Sequence, residues 1–405
     1  MTILFYTRYQ PVKEKGGTEH TTITVAKQLS QRYGVRCIAS YSMPFSGTQE
    51  GFDDYCFIDF KQERKQVIER IADILTRYEA DHVVLQGYFR ETEFFREAVN
   101  QCPHCRLIFS HHFAPGWEQT QEVEVLERLQ KSKGLKRLRY QLKLRLFPLF
   151  RWLGRKKLER RYRKAYRAAD HVVVLSSSYV DEFSRWADAP NTDKISVIPN
   201  ALPFQQIFDV SNIGNKEKLA LIVTRLDERQ KRIRLALQLW KEAKQYPETE
   251  GWRLIIIGDG EEPCTHEYQA WAKDNLIPDA EFLGRCNPFD YYAKASIFLM
   301  TSLCEGLPLT ILEARQQAVV SLAFNTFRAI DDIMTDGKNG FILTENDRQS
   351  YVDCLRKLMG NRSLREKMAA DATKGLEEFS TEEVMKRWME LLKTSPNRSQ
   401  EIEAR

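Results

Sequence analysis

"TSLCEGLPLTILEARQQA" occupies residues 301–318 and sets two acids, Glu305 and Glu313, eight positions apart with Gly306 and Pro308 between them. The run just before it, "ASIFLM" (295–300), is apolar throughout and reads as a buried strand, and a helical pattern follows. The segment is therefore a strand, a tight turn and a helix start. Gly306 leaves the backbone bare in the turn. Pro308 suits the first helical position, where its missing N–H needs no partner.

The same alternation runs along the chain. Strand-like runs at 3–7, 35–41, 82–88, 106–112, 171–176 and 194–199 are followed by a second set at 219–226, 252–258, 280–284, 295–302, 319–324 and 340–343. Helical patterns fill the gaps, and the first of these ends at Gly34, a fair C-cap. Near-continuous apolar strands alternating with helices imply parallel sheets covered on both faces. Two sets of about six strands predict an α/β protein of two doubly wound, Rossmann-like domains facing across a cleft. The seam falls in "PNALPFQQIFDVSNIGNKEK" (199–218), dividing the chain into 1–200, 201–375 and a C-terminal helix with a polar tail, 376–405. That helix is expected to pack back on the N-terminal domain.

Whole-chain composition narrows the classes. With 405 residues and 42% apolar content, the chain can bury two cores. No run approaches the roughly 20 apolar residues of a membrane span, and no secretory leader is visible at "MTILFYTRYQ", which reads as cytoplasmic. The eight cysteines read as reduced and mostly buried. "CPHC" (102–105) has redox spacing, but it follows a helix and precedes a strand, the reverse of a reactive helix N-terminus, so it reads as a turn. No second CxxC completes a zinc site.

The net charge of +5 is unevenly spread. Residues 131–167 hold 16 Lys or Arg and one acid, Glu159, a local +15 that leaves +5 − 15 = −10 for the remainder. Leu135, Leu138, Leu142, Leu144, Leu146, Phe147, Leu149, Phe150, Trp152 and Leu153 interleave with the bases. Such mixing describes an interfacial helix on an anionic membrane, ahead of a solvated helical face or a polyanion site. No nucleic-acid partner is expected. Pro148 is expected to break the segment into two helices.

Doubly wound sheets bind ligands beyond the carboxyl ends of their strands, and candidate residues gather there. Gly16 and Gly17 follow the first strand, where bare N–H groups can approach a phosphate or a sugar. Arg225 and Lys231 follow "LALIVTRL" and can clamp a diphosphate. "GDGEEP" supplies Gly258 and Gly260 in a tight turn. Leu307, Leu309 and Thr310 lie at the turn and helix start, where the dipole attracts a diphosphate. Glu313, one turn on, can accept from the 2′ and 3′ hydroxyls of a ribose, and Glu305 would stand beside whatever the diphosphate carries. On residues alone, a dipole-favoured helix-start acid and a solvated loop acid are equally good readings.

Taken together, "EGLPLTILEA", "TRLDERQKR", "IIIGDGEE", "AEFLGR", "DGKNGFIL", "VIPNA" and the early glycine pair resemble the retaining glycosyltransferases of family 4, in the same order along nearly the whole chain. The resemblance implies the GT-B fold and transfer of a sugar from a nucleotide diphosphate, here a UDP-sugar, to a hydroxyl of a glycan or lipid-linked acceptor. Bacterial lipopolysaccharide or surface-polysaccharide synthesis at the inner face of the membrane is the expected setting. It further implies that Arg225 and Lys231 bind the diphosphate, Glu313 the ribose and Glu305 the donor sugar or its developing charge. No metal or other cofactor is then required. In "SHHFAP", His111 and His112 stand at a strand end where the family places one histidine against the donor sugar, and the His-x-x-Pro form favours His112. The chain departs from the family at Ala318 and Val320, where glycine and proline are usual, at Ala201 for the seam glycine, and in "NTFRAIDD" for a Gly-Gly-x-x-Glu loop, with Asp331 or Asp332 near its acid. An epimerase or phosphorylase of the same fold, and a non-catalytic polyanion binder, are the alternatives.

Overall fold

The computed structural model describes residues 1–12, 16–119, 134, 147–260 and 264–394. It divides into two compact units, Met1–Ala201 with Phe379–Arg405, and Leu202–Glu378. The first sheet holds β1 (Thr2–Tyr9), β2 (Arg36–Met43), β3 (Asp54–Phe57), β4 (His82–Gln86), β5 (Arg106–His111), β6 (His171–Val174) and β7 (Ile195–Val197). Their order is β3-β2-β1-β4-β5-β6-β7, and every pairing is parallel. The second sheet holds β8 (Leu219–Val223), β9 (Arg253–Ile257), β10 (Ala280–Gly284), β11 (Ile297–Met300), β12 (Val320–Phe324) and β13 (Gly340–Leu343). Its order is β10-β9-β8-β11-β12-β13, again all parallel.

The apolar runs form strands because helices cover both their faces. Residues of β8 and β12 are almost wholly buried, and Trp240 and Trp252 close the core of the second unit at 0% exposure. Each such side chain contributes about 1.5–3 kcal/mol through its removal from water. In the first unit the helix Thr381–Lys393 inserts Val384, Met385, Trp388, Leu391 and Leu392 into the core around Ile3, Phe5 and Val84.

Two local expectations change. β3 was not expected, because a four-residue edge strand flanked by acids buries only Cys56 well and shows no apolar run. Pro308 caps the helix Leu309–Gln316 from outside it, with an extended ψ of 114°, and is not its first residue. Pro148 stands as the second residue of the helix Phe147–Ala168, the end at which proline is tolerated, and the residues that would form a helix before it lie outside the described residues. Residues 131–133 and 135–146 of the basic segment lie outside the described residues. Gly34 takes the left-handed φ of 65° and caps the helix Gly17–Tyr33. "CPHC" is a turn in which Cys102 and Cys105 are free and buried, and burial pushes the Cys105 thiol up to about 12, the reverse of a reactive thiol.

Candidate active site

In the C-terminal unit the chain leaves β8 toward β9 on one side and returns to β11 on the other, which makes β8 and β11 the switch point of the sheet. Loops at their carboxyl ends diverge and leave a crevice. "TRLDERQKR" (224–232) follows β8 and "TSLCEGLP" (301–308) follows β11, so two motifs that begin 77 residues apart meet through topology alone.

The meeting is laced by hydrogen bonds. Asp227 caps the short helix Glu228–Lys231 by accepting from the Arg229 N–H at 3.1 Å. Arg232 then turns into the left-handed region at φ 51°. Its guanidinium donates to the carbonyls of Thr301 at 2.6 Å and Ser302 at 3.2 Å. The Thr301 hydroxyl donates back to the carbonyls of Lys231 and Arg232 at 2.9 and 3.0 Å. The Leu303 N–H donates to the Gln230 carbonyl at 2.7 Å.

This lacing brings Lys231 Nζ to 2.5 Å from Glu305 Oε1, with the two side chains only 17% and 8% exposed. Arg225 is tethered nearby: its guanidinium donates to Gln230 Oε1 at 3.1 Å and pairs with Asp227 at 3.3 Å. The Gln230 amide in turn donates to the Cys304 carbonyl at 3.1 Å. Two cations and an acid therefore share one end of the sheet, joined through Gln230, which sequence reading passed over because a glutamine in a charged run carries no distinctive signal.

Leu309 and Thr310 open the helix Leu309–Gln316, where the first N–H groups have no intrahelical acceptor. Gly306 and Leu307 are buried in the turn before it. One turn on, Glu313 directs its carboxylate inward, and Oε2 is out of contact with solvent and without a hydrogen-bond partner among the described residues. Burial raises this carboxyl to about 7, against the opposing effect of the Tyr292 hydroxyl beside it. A buried carboxylate oxygen left unmatched costs about 1–3 kcal/mol, so a hydroxyl donor from a ligand would relieve it.

Gly258 and Gly260 have a different explanation. The Gly258 N–H donates to the Gly284 carbonyl at 2.8 Å, and its φ of 133° would place a Cβ 1.8 Å from the Thr224 carbonyl oxygen. Asp259 Oδ1 collects the N–H groups of Gly260, Cys264 and Thr265 at 2.8, 2.8 and 3.2 Å. Both glycine amides are engaged within the unit and are not offered to a ligand. Close packing of the β9 turn against the end of β8 requires Gly258. Residues 261–263 of that turn are outside the described residues.

In the N-terminal unit the switch point lies between β1 and β4. Gly16 precedes and Gly17 begins the helix that follows β1, and a Cβ at either would meet nothing within 4 Å, so internal crowding does not demand glycine there. The histidine pair splits. His111 is 1% exposed, boxed by Phe89, Phe109, Tyr162 and Phe183, with Nε2 3.2 Å from the Tyr162 hydroxyl, and burial lowers it to about 3. It is a core residue, and the candidate catalytic role falls to its neighbour. His112, just past β5, is bonded through Nε2 to Gln86 and lies 3.3 Å from Ser110 Oγ. Burial lowers it to about 4, which keeps the imidazole neutral. Asp332 is half-buried in the helix Ile330–Ile333, Asp331 is exposed, and Thr326 ties their loop to the Ser302 carbonyl at 2.8 Å. Among the described residues no group of three His, Cys, Asp or Glu is placed to hold a metal ion.

Two doubly wound parallel domains, the second with paired cations and acids at its switch point, define the GT-B class. Comparison with known proteins sharpens this. The Glycosyl transferases group 1 family matches residues 203–375, and Glycosyltransferase Family 4 matches residues 15–206. The chain belongs to the group 1 glycosyltransferases of family 4.

Over 232 residues it is 26% identical to the amylovoran biosynthesis glycosyltransferase AmsD of Erwinia amylovora, covering 56% of this chain and 63% of that protein. Over 209 residues it is 27% identical to the UDP-Gal:α-D-GlcNAc-diphosphoundecaprenol α-1,3-galactosyltransferase of Escherichia coli, covering 48% of this chain and 50% of that protein. The match thus spans less than two thirds of these relatives' own lengths. Anabaena HepE, solved in complex with UDP-glucose, shares the fold with a TM-score of 0.70 at 15% identity over 97% of this chain and 99% of its own.

Proposed function

We propose that the protein is a retaining glycosyltransferase that moves a sugar from a UDP-sugar to a hydroxyl of a glycan or lipid-linked acceptor in bacterial surface-polysaccharide or lipopolysaccharide synthesis. The observation that carries this reading is the Lys231–Glu305 pair at the β8/β11 switch point, with Arg225 tethered beside it through Gln230. Relatives named for amylovoran synthesis and for a diphosphoundecaprenol-linked acceptor support the polysaccharide setting.

In this reading Arg225, Lys231 and the first amides of the helix Leu309–Gln316 receive the diphosphate. Charge grows on the diphosphate as it leaves, so fixed cations stabilise the transition state more than the ground state. Glu305 holds Lys231 in place and meets the donor sugar or the positive charge developing at its anomeric carbon. Glu313 accepts from the ribose hydroxyls. The neutral His112 imidazole is offered to the donor sugar, and the open space at Gly16 and Gly17 leaves room for a ligand's close approach.

The protein is also proposed to act at the cytoplasmic face of a membrane through residues 131–167. Within the described part, residues 148–149 and 151–157 are exposed, including Leu149, Trp152 and Leu153 at 53, 55 and 47% among Arg151, Arg155, Lys156 and Lys157. No helix among the described residues is long and apolar enough to cross a membrane. The decisive test of the chemistry is release of UDP from UDP-sugars by wild type, Lys231→Ala and Glu313→Ala. Loss of a fixed donor to the leaving charge lowers turnover by about 10²–10³-fold for Lys231→Ala. Full activity in both variants would remove the assignment.

A further inference from the structure

The loop after β5 carries a construction that donor binding does not use. Phe113 and Trp117 stand with ring centroids 5.0 Å apart and planes 33° from parallel, both only half-buried. Phe113 follows His112 directly in the chain, and both rings keep part of their surface accessible. Glu118 follows them, so an apolar surface and a carboxyl adjoin within six residues.

The loop is preset by the core beneath it. Gly116 sits at φ +83° under the Trp186 indole, where a Cβ would fall 2.4 Å from the ring. The Gly116 N–H donates to the Tyr162 hydroxyl at 2.8 Å, and that hydroxyl lies 3.4 Å from Glu118 Oε2. The Trp117 N–H donates to the Ala114 carbonyl at 3.2 Å. Tyr162 is itself wedged against Phe89, Phe183 and Trp186. A loop held at this many points presents its rings without first having to be ordered, which is what a weak ligand requires.

We propose that Phe113 and Trp117 form a stacking platform for a pyranose ring of the saccharide acceptor, with Glu118 hydrogen-bonded to one of its hydroxyls. A pyranose has an apolar face of C–H groups and a rim of hydroxyls, and this loop matches both. Aromatic rings gain from flat stacking beyond the area they bury. Burial raises the Glu118 carboxyl to about 7, so near neutral pH it can donate to a hydroxyl as well as accept from one. The inference rests on the glycosyltransferase reading and adds to it the residues that hold the acceptor.

The test is saturation-transfer NMR with methyl α-pyranosides of the common hexoses, run with and without UDP, beside UDP titration calorimetry. Wild type is expected to show transfer to ring C–H protons. Loss of one stacking partner weakens such a ligand about three- to tenfold, so the signal drops by that factor in Phe113→Ala and Trp117→Ala and recovers in Trp117→Tyr. UDP affinity stays within about twofold in all three, because Arg225, Lys231 and Glu313 keep their own surroundings within the C-terminal unit; should Trp117→Ala fail to fold, Phe113→Ala carries the test alone. Pyranoside signals absent from wild type, or unchanged in the folded alanine variants, overturn the platform. A wild type that shows platform-dependent pyranoside signals but binds no UDP upholds the platform and sinks the donor reading.

Discussion

Lys231 and Glu305 illustrate how a residue pair can serve the fold and the chemistry together. Their contact is nearly dry, so removing one partner leaves an uncompensated buried charge, which costs about 3–5 kcal/mol, whereas replacing both with apolar groups is close to neutral. Urea unfolding should therefore find Lys231→Met and Glu305→Leu each clearly destabilised and the double variant largely recovered, while UDP-sugar turnover stays lost in all three. Activity returning with stability in the double variant would make the pair purely structural. Glu313 yields a pH signature. Its folded-state carboxyl lies near 7, above the usual 4.5, so the stability it contributes is complete below pH 4.5 and lost as pH rises through 7. A ribose that donates to it prefers the ionised form, so UDP affinity should fall as pH drops below 7, with a proton released on binding. Calorimetry in two buffers at pH 6 and 8 measures both effects, and Glu313→Gln should abolish them.

At the scale of elements, the helix Leu309–Gln316 is held by what surrounds it. Arg315 is 4% exposed and donates to the carbonyls of Ala372 at 3.0 Å, Ile333 at 2.9 Å and Lys374 at 2.5 Å. Gln316 exchanges hydrogen bonds with the backbone of Phe204 at 2.8 and 3.0 Å. Arg315→Met would strand three carbonyls, and at about 1 kcal/mol for each lost bond the urea midpoint should report a loss of about 3 kcal/mol. An unchanged midpoint would mean that water replaces the guanidinium. Sequence announced this helix through its acids and its proline, but "ARQQA" gave no hint that its polar residues were ties to other segments. The N–H of Gly260 reads as a ligand donor in sequence, yet Asp259 collects it, because which acceptor a loop amide meets depends on a turn that sequence does not draw.

For the whole molecule, the uneven charge is the property with consequences beyond any site. Residues 131–167 concentrate +15 on a chain of net +5, and surface attraction of that kind weakens as salt shortens the Debye length from about 10 Å at 0.1 M to 3 Å at 1 M. Sedimentation with vesicles containing anionic lipid should be strong at low salt, weak at 1 M, and much reduced when residues 131–167 are deleted. Binding that ignores both changes would remove the membrane reading. The two sheets were foreseeable as parallel from their continuous apolar runs. The edge strand β3 was not, since an edge needs only one buried residue in four.

Sequence by itself determined the alternation of strand and helix, the two sets of strands, and the loops that end in Arg225, Lys231, Glu305 and Glu313, because periodicity and turn chemistry are local. Only tertiary structure decided that β8 lies beside β11 and so brings Lys231 onto Glu305, that His111 disappears into an aromatic core while His112 does not, and that Gly258 answers to Thr224. Those outcomes depend on which strands pair and which faces pack, and such contacts join residues too far apart in the chain for any local pattern to encode.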